Sequence, residues 1–473
     1  MSTDNINNIN IEAESEMYEE DLNEQRKIRR QKLRDLQEAD RNPYIYETWN
    51  VTAHSKDIKE NFDALEDEEV SCAGRIMSKR IMGKAAFFDL QDKQGRIQCY
   101  VKRDEIGADE YKWFKTYDIG DIVGIEGKVF KTKTDEISIH ITKLILLSKS
   151  LQVLPDKWNG LKDTDIRYRQ RYVDLIMNQD VRDTFVKRSK IIHEMKRVLE
   201  EDYGYLEVDT PILTAIAGGA NARPFETHHN TLDMDLRLRI SNELYLKRLI
   251  VGGLDRVYEI GKMFRNEGMD KLHNPEYTAI ELYQAYVDYE EMMRLCEEMV
   301  YTVCMEVVGK SEVELQGKVI DFKPPWRRIS MVDAVKEYAG VDFETVSTDE
   351  EARKIAIEKR IDVTENTTRG EIISLFFEEF CEEYMVQPTF VTKHPVEISP
   401  LAKRDPKDKR YTQRFEAFVN CGEIANAFSE LNDAIDQKQR FLKQVEAREN
   451  GDDEAQMMDY DFINALEIGL PPT

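Results

Sequence analysis

The sequence predicts an α+β fold in which a small five-stranded β-barrel is followed by a large domain of mixed helices and strands. Two patterns support this prediction. From Val70 to about residue 148, short alternating apolar and polar stretches are separated by glycine and aspartate, which is typical of a small all-β domain. From Val181 onwards, segments with helical periodicity alternate with strand-like segments. The 473 residues are 41% hydrophobic, which is enough apolar material for a substantial core.

Residues 1–65 predict a charged helical appendage. Leu22, Ile28, Leu33 and Leu36 give this segment only a narrow apolar stripe. Its basic run RKIRRQKLR is of a kind that usually forms a solvated helix face. The appendage is therefore not expected to form a core of its own.

Residues 66–150 predict the barrel. Five strand-like stretches follow one another here: VSCAGRIMSKRI, AAFFDLQD, GRIQCYV, DIVGIEGKVF and EISIHITKLILL. So many strands in a short segment favour a closed or half-closed barrel, of which the five-stranded oligonucleotide-binding (OB) barrel is the commonest small example. Residues 151–180 then predict a connector that contains Pro155 and Gly160.

The large domain is predicted over residues 181–473 and begins with a helix. This helix is expected over 181–202, with Gly204 ending it. The residues predicted to form its buried side are Phe185, Ile191, Ile192, Met195, Val198 and Leu199. The stretch YLEVDTPIL (205–213) then predicts a strand that Pro211 ends.

Charge and composition limit the classes of function. The formal net charge of −25 argues against indiscriminate nucleic-acid binding, because phosphate contacts depend on lysine and arginine, although local basic clusters remain. No apolar run approaches the ~18 residues that a membrane helix needs, and the first residues lack the features of a signal peptide. We therefore expect a cytoplasmic protein without a membrane partner. The six scattered cysteines include no CxxC pair, so no zinc site is predicted.

The segments RVYEIGKMFR and YTAIELY predict a polar surface on a sheet. If the two segments are antiparallel neighbours, the period of two places Arg265, Tyr277, Glu281 and Tyr283 on one face. An arginine fork suits a phosphate or a carboxylate, a tyrosine ring suits a purine, and a buried carboxylate suits an ammonium group. The connecting loop adds Glu267, His273 and Asn274, which could hold a polyphosphate or an amino edge.

A second polar group lies in FEAFVNCGEIANAFSELND. Asn426, Phe428 and Glu430 share one parity and Glu423 has the other, so a bulge after Cys421–Gly422 is needed to direct all four into one pocket. Glu416 and Glu423 form an acidic pair of the type that holds magnesium together with substrate phosphates. A solvent-exposed hairpin with ordinary acidic residues is the alternative.

Several motifs together resemble one enzyme family. FRNEGMDKLHNPEYTAIE closely resembles motif 2 of the class II aminoacyl-tRNA synthetases, and YGYLEVDTPIL resembles motif 1, which builds their dimer interface. Within this class, AGGANARPFETHHN, SNELYLKRL, HPVEISPLAK and GEIANAFSELND resemble the bacterial type of lysyl-tRNA synthetase. The resemblance covers nearly the whole chain. It implies an OB-fold anticodon-binding domain and a catalytic domain built on an antiparallel sheet flanked by helices.

The resemblance also implies roles for the site residues around ATP. Arg265 would bridge the ATP α-phosphate and the carboxylate of the amino acid, and it is the predicted catalytic residue. Glu267 and Asn274 would hold the adenine or ribose side, His273 would reach the terminal phosphates, and Tyr277 would stack on adenine. Magnesium would bind at Glu416 and Glu423.

The resemblance also implies two further sets of residues, one that binds the amino acid and one that binds the tRNA. Gly219 and Glu243 would take the α-amino group of lysine. Its ε-ammonium would be surrounded by Glu281, Tyr283 and Glu430, while Asn426 would help at the carboxylate and Phe428 would pack on the aliphatic stem. In the barrel, the residues that would read the anticodon are Phe87, Gln98 and Glu136. Parity allows only one of Phe87 and Phe88 to face the core, and the resemblance implies that Phe87 faces outward.

The implied substrates are L-lysine, ATP and tRNA(Lys), and motif 1 implies a homodimer. Class II catalytic domains end with motif 3, a glycine-rich strand and helix, whereas this sequence stops at EIGLPPT, so we expect the natural enzyme to be longer. Three alternatives remain. They are an aspartyl- or asparaginyl-type synthetase, a catalytically impaired RNA-binding relative, and a ligase that attaches lysine to a protein.

Overall fold

The computed structural model describes residues 23–155, 163–270, 273–449 and 455–473, and it divides the chain into two compact units, Met1–Phe185 and Val186–Thr473. The first 22 residues of the predicted appendage and residues 156–162 of the predicted connector lie outside the described residues.

The first unit contains a closed five-stranded barrel, as predicted. Its strands pair in the order β1-β2-β3-β5-β4. Their bounds are β1 Glu69–Met82, β2 Ala85–Gln91, β3 Arg96–Lys102, β4 Ile122–Lys131 and β5 Ile137–Ser148. In β2 and β3 every second side chain is buried inside the barrel, as the period of two in a strand requires. Phe88 is buried in this core and Phe87 faces outward, which confirms the predicted orientation.

The helices of the first unit precede the barrel, lie between β3 and β4, or follow β5 in the sequence. They are Glu24–Glu38, Ser55–Glu60, Phe62–Leu65, Arg103–Ile106, Ala108–Thr116, Thr164–Arg169 and Arg171–Met177. The helix Glu24–Glu38 is anchored by Arg29, whose guanidinium donates to the backbone carbonyls of Ser150 (3.0 Å), Gln152 (2.8 Å) and Ile119 (3.0 Å). One residue of the basic run therefore holds the helix to the barrel.

The next helix, Gln179–Arg197, corrects the sequence prediction. It continues into a wider turn at Val198–Asp202, where Val198 and Leu199 are buried as predicted. Phe185 and Ile191, which were predicted to be buried, are exposed, so the prediction was wrong for these two residues. Helical periodicity identifies an apolar side but not what covers it.

The second unit is built on several small sheets. Its strands are β6 Leu206–Glu207, β7 Leu213–Thr214, β8 Glu226–His229, β9 Met234–Leu238, β10 Arg256–Phe264, β11 Glu276–Gln284, β12 Glu312–Leu315, β13 Lys318–Asp321, β14 Arg327–Ser330, β15 Thr389–Thr392, β16 Arg414–Val419 and β17 Gly422–Phe428. The predicted strand over 205–213 is thus two short pieces, β6 and β7. Its helices are Glu243–Val251, Tyr289–Val308, Met331–Ala339, Asp349–Glu358, Arg369–Phe380, Ala434–Glu449 and Tyr460–Gly469.

Two of these sheets position the site. One has the order β11-β10-β6 and the other β14-β15-β16-β17; the pairs β10·β11, β15·β16 and β16·β17 are antiparallel, as the resemblance implies. Helix Tyr289–Val308 packs beside them. It begins at Asp288, whose carboxylate accepts from the amides of Glu290 and Glu291, and it ends at Gly309 in the left-handed conformation (φ 83°).

Candidate active site

The pairing of β10 with β11 produces the polar surface that strand parity predicts. Tyr277 lies opposite Met263, Glu281 opposite Glu259, and Tyr283 opposite Val257. Beyond the end of β10, the guanidinium carbon of Arg265 lies 5.4 Å from the centre of the Tyr277 ring. Among the described residues, Nε of Arg265 is buried and has no hydrogen-bond partner, so this cation is available to an anion.

A cavity of about 570 Å³ opens in front of this surface, within the second unit. All ten of the predicted lysine and magnesium residues line it. They are Gly219, Glu243, Arg265, Glu281, Tyr283, Glu416, Glu423, Asn426, Phe428 and Glu430. Segments that are up to about 200 residues apart in sequence therefore meet at one place, as expected for a binding site.

Three of the predicted ATP-binding residues lie in the loop between β10 and β11, outside the cavity lining. Glu267, His273 and Asn274 are exposed and do not line the cavity. The His273 ring contacts the Asp270 carboxylate (2.8 Å), and the Asn274 amide donates to the backbone carbonyl of Glu276 (2.5 Å). The structure does not bring these three residues to the cavity, and their roles toward ATP stay predictions.

Glu281 lines the cavity and is held by three donors. Ser241 Oγ (2.9 Å) and the backbone N–H of Asn242 (3.3 Å) donate to one carboxylate oxygen, and the Tyr283 hydroxyl (3.3 Å) donates to the other. Burial, and next the negative charge of Glu243, raise the pKa of Glu281 to about 7. The three donors hold the carboxylate in place, and a nearby cation would stabilise its charged form.

Two more carboxylates share a lysine that the sequence analysis did not single out. Lys247 lies one turn after Glu243 on helix Glu243–Val251 and is 1% exposed. Its ammonium nitrogen lies 2.5 Å from Glu243 Oε1 and also contacts the carboxylate of Glu430. The only sequence signal was the i,i+4 spacing of Glu243 and Lys247, which usually indicates an ordinary surface pair.

The β16–β17 hairpin contains the bulge that the sequence required. Ala417 pairs with Ala425 but Phe418 pairs with Glu423, so Ile424 is the extra residue. The extra residue changes the alternation along β17. Glu423 can therefore line the same cavity as Asn426.

Glu416 and Glu423 fit a magnesium site in their chemistry. Burial, and next the negative charge of Glu416, raise the pKa of Glu423 to about 7, which indicates an excess of negative charge that a cation would relieve. Magnesium is typically bound by one or two carboxylates together with substrate phosphates, so a pair is sufficient. Among the described residues, no group of three or more His, Cys, Asp or Glu could hold a metal ion. Glu416 also accepts a hydrogen bond from Arg414 (2.6 Å).

A buried ion pair supports the floor of the site. Arg239 Nη1 lies 2.6 Å from Glu259 Oε1, and the other oxygen of Glu259 accepts from Thr210 Oγ1 (2.6 Å) and Asn242 Nδ2 (2.8 Å). Gly261 leaves the space for this network. A Cβ at that position would lie 2.2 Å from Arg239 Nη2.

We therefore expect Gly261→Ala to destabilise the protein by about 2–4 kcal/mol, because the methyl group forces the Arg239–Glu259 pair apart in a buried place. Urea unfolding measures this change. Gly268→Ala is the matched control, since a Cβ there meets nothing within 4 Å. Equal stability of the two variants would contradict the expectation.

In the first unit, the predicted anticodon residues lie on the outer face of the barrel. The Phe87 and Tyr100 rings are 4.7 Å apart, and Gln98 Oε1 accepts from Ser138 Oγ (3.2 Å). Glu136 is exposed and lies 3.7 Å from Lys59. The sequence analysis missed the other rings beside Tyr100, which are Phe130 (6.2 Å) and His140 (5.2 Å). Gln98 and Tyr100 are two positions apart in GRIQCYV, so the sequence could have indicated that Tyr100 lies on the same face of the barrel as Gln98.

Comparisons with known proteins agree with this geometry. Residues 163–473 match the family described as tRNA synthetases class II (D, K and N), and residues 70–147 match the OB-fold nucleic acid binding domain. A lysine–tRNA ligase from Clostridium botulinum (strain Langeland) is 56% identical over 459 residues, which cover 96% of this chain and 91% of the relative. The chain belongs to the lysine–tRNA ligase family.

Other members of the lysine–tRNA ligase family give the same result. The protein from Thermoanaerobacter pseudethanolicus is 57% identical over 454 residues (96% of this chain and 91% of the relative), and that from Clostridium acetobutylicum is 56% identical over 468 residues (98% and 90%). The predicted fold, the assignment to class II and the choice of the lysyl type over the aspartyl or asparaginyl type are confirmed. The chain is an aminoacyl-tRNA synthetase. Within the described ranges, none of the helices has the length and apolar character that crossing a membrane requires.

Proposed function

We propose that this chain activates L-lysine with ATP and transfers the lysyl group to the 3′ end of tRNA(Lys). The observation that carries the proposal is the cavity in which Glu243, Glu281 and Glu430 lie close to Arg265. A substrate with two ammonium groups and one carboxylate matches these charges. Its proposed part in translation gives the enzyme a cytoplasmic location.

The reaction requires positioning and charge stabilisation rather than a protein nucleophile. The lysine carboxylate attacks the α-phosphorus in line and pyrophosphate leaves, while Arg265 stabilises the negative charge that develops on the phosphate oxygens. Magnesium held at Glu416 and Glu423 would supply further charge neutralisation on the phosphates. The terminal ribose hydroxyl of the tRNA then accepts the lysyl group, and AMP leaves.

Selection of lysine is proposed to depend on buried carboxylates. Glu281 and Glu430 pair with the ε-ammonium, and the neutral Tyr283 hydroxyl orients Glu281. An aspartate or asparagine side chain would leave these carboxylates without a cation. Leaving buried polar groups unpaired allows strong rejection of such substrates.

Lysine-dependent exchange between ATP and pyrophosphate tests the proposal. We expect exchange with lysine and none with aspartate or asparagine, measured on a sample whose intact mass is checked. Absence of exchange with lysine, in a folded sample, would refute the proposed activity and would favour the catalytically impaired RNA-binding alternative. Charging of a protein in place of tRNA would favour the third alternative.

The barrel is proposed to bind the anticodon through the outward ring of Phe87, with Gln98 and Glu136 at the base edges. We expect Phe87→Ala to raise KM for tRNA roughly ten- to hundredfold, because stacking of a base on an aromatic ring contributes about 1–3 kcal/mol. Exchange without tRNA should not change. Tyr46→Ala removes another exposed ring of the same unit and serves as the control. An unchanged KM in Phe87→Ala would refute the anticodon assignment.

A homodimer is proposed from the apolar residues that the second unit leaves exposed between positions 186 and 234. These are Val186, Ile191, Leu206, Ile212, Leu213, Leu232 and Met234. Such residues usually indicate a protein interface when several occur together. They include Leu213, at the end of the segment that resembles motif 1.

We expect Leu213→Asp to shift the protein toward the monomer, because it introduces a charge into an apolar interface. Light scattering after size-exclusion chromatography measures the mass. Ile357→Asp, at an exposed position on helix Asp349–Glu358, is the control and should leave the mass unchanged. A monomeric unmodified protein would refute the dimer.

A further inference from the structure

Lys247 is a buried cation to which no role has yet been given; it does not itself line the cavity, but its partners Glu243 and Glu430 do. Lys247 and Glu243 are 1% and 6% exposed, and Glu430 is 4% exposed, so all three lie away from water. The Lys247 ammonium contacts both carboxylates, and it also lies 5.4 Å from the centre of the Phe428 ring. The lysine thus connects two elements of the cavity wall.

A count of charges shows what Lys247 changes. When they are ionised, Glu243, Glu281 and Glu430 bring three negative charges, and Lys247 brings one positive charge. Two negative charges remain for a ligand. Free lysine has two ammonium groups, so the count of cations in the substrate equals the charge that the cluster leaves uncompensated.

Lys247 also separates two carboxylates that would otherwise repel each other. Each carboxylate has two oxygens, so a bond from one oxygen to Lys247 leaves acceptor capacity for the substrate. Without a cation between them, buried neighbouring carboxylates take up a proton. A protonated carboxyl would no longer attract an ammonium group.

We propose that Lys247 is a positioning residue for lysine selection: it holds Glu243 and Glu430 as separate anions, so that the cavity keeps two uncompensated negative charges for the two ammonium groups of the substrate. This inference rests on the proposed function. It assigns to Lys247 no contact with the reacting atoms.

Charged and titratable groups near Lys247 influence how the affinity for lysine depends on pH. The charged and titratable groups around Lys247 are Glu243 on its own helix, Glu281 and Tyr283 on β11, Arg414 on β16 and Glu430 after β17. Helix Tyr460–Gly469 contributes the apolar ring of Phe462, 5.8 Å from the ammonium. Burial raises the pKa of Glu430, and the positive charge of Lys247 opposes this effect. Removal of Lys247 therefore raises the proton affinity of the carboxylates further.

The test is the pH dependence of kcat/KM for lysine in ATP–pyrophosphate exchange, for the unmodified protein, Lys247→Met and Lys247→Gln. We expect KM for lysine at pH 7 to rise at least about tenfold in both variants, and the acid limb of the profile to move upward by about one pH unit or more. The KM for ATP should change little. Glutamine retains hydrogen-bond donors without the charge, so a similar shift in both variants would identify the charge as the cause.

Arg248→Met is the matched control. Arg248 is the next residue on the same helix and has two acidic partners, Asp459 (2.8 Å) and Asp461 (3.0 Å), but neither partner lines the cavity. We expect the acid limb of the pH profile of kcat/KM for Arg248→Met to coincide with that of the unmodified protein.

The outcomes separate the inference from the function on which it rests. If the unmodified protein shows no lysine-dependent exchange, the proposed function fails. If it does, and Lys247→Met and Lys247→Gln keep KM within about threefold and an unmoved acid limb, the role of Lys247 is overturned. If circular dichroism shows that both variants fail to fold, Lys247 is a structural residue and the inference is also overturned.

Discussion

Arg265→Met is expected to lower kcat for lysine-dependent ATP–pyrophosphate exchange by about a thousandfold or more. The guanidinium is the cation proposed to bind the α-phosphate, and its buried Nε has no hydrogen-bond partner among the described residues. Its contribution is largest when the phosphate oxygens gain charge in the transition state. Removing a preorganised donor of this kind typically costs about 10²–10³ in rate, and an arginine that contacts a transferring phosphoryl group contributes about 10³–10⁵.

The distribution of the loss between kcat and KM makes this prediction specific. We expect kcat to fall more than KM rises, because the interaction is strongest in the transition state. Arg265→Lys should recover part of the rate, since it restores a charge but not the planar fork. Lys262→Met, on the neighbouring strand β10, removes a cation whose partner Glu276 is 3.1 Å away at the surface, and it should have little effect. A loss in Arg265→Met confined to KM would contradict the assignment to catalysis.

Glu281→Gln is expected to lower kcat/KM for lysine by roughly two to three orders of magnitude. The exchange keeps the shape of the side chain and removes the charge that pairs with the ε-ammonium. An ammonium that is buried without its partner costs about 3–5 kcal/mol. Binding of ATP should be unaffected, and this can be measured separately by calorimetry.

The same residue predicts a pH dependence. Because the pKa of Glu281 is raised to about 7, the fraction of the charged form decreases as pH falls below 7, and lysine affinity of the unmodified protein should fall with it. Glu276→Gln, at the exposed start of β11, is the control and should change kcat/KM less than about fivefold. If Glu281→Gln lost less than tenfold, the role of Glu281 in lysine binding would have to be abandoned.

Local patterns in the sequence were sufficient to predict the barrel and one wall of the site. The period of two is a property of a single strand, and it placed Tyr277, Glu281 and Tyr283 correctly because β10 and β11 pair without interruption. The same rule allowed only one of Phe87 and Phe88 to face the barrel core, and the resemblance to the family indicated that Phe87 lies outside. The need for a bulge near Glu423 was also a local deduction from parity.

Features that depend on distant partners were not accessible in this way. Lys247 binds Glu430, which is far away in sequence, so spacing alone showed only its pair with Glu243. Ile191 has the pattern of a buried helix face, but burial depends on what packs against that face. The orientations of Glu267 and His273 depend on an exposed loop whose conformation no periodicity describes.

The bulge at Ile424 has a consequence for how the site tolerates change. A substitution at Ile424, which is exposed, leaves the length of β17 as it is and keeps Glu423 directed into the cavity. Deletion of Ile424 would leave Glu423 two residues before Asn426, so regular alternation would keep both side chains on one face of the sheet without a bulge. The bulge therefore compensates for one extra residue in β17, and a relative that is one residue shorter at this point could keep both glutamates of the proposed metal pair on one face with a regular strand.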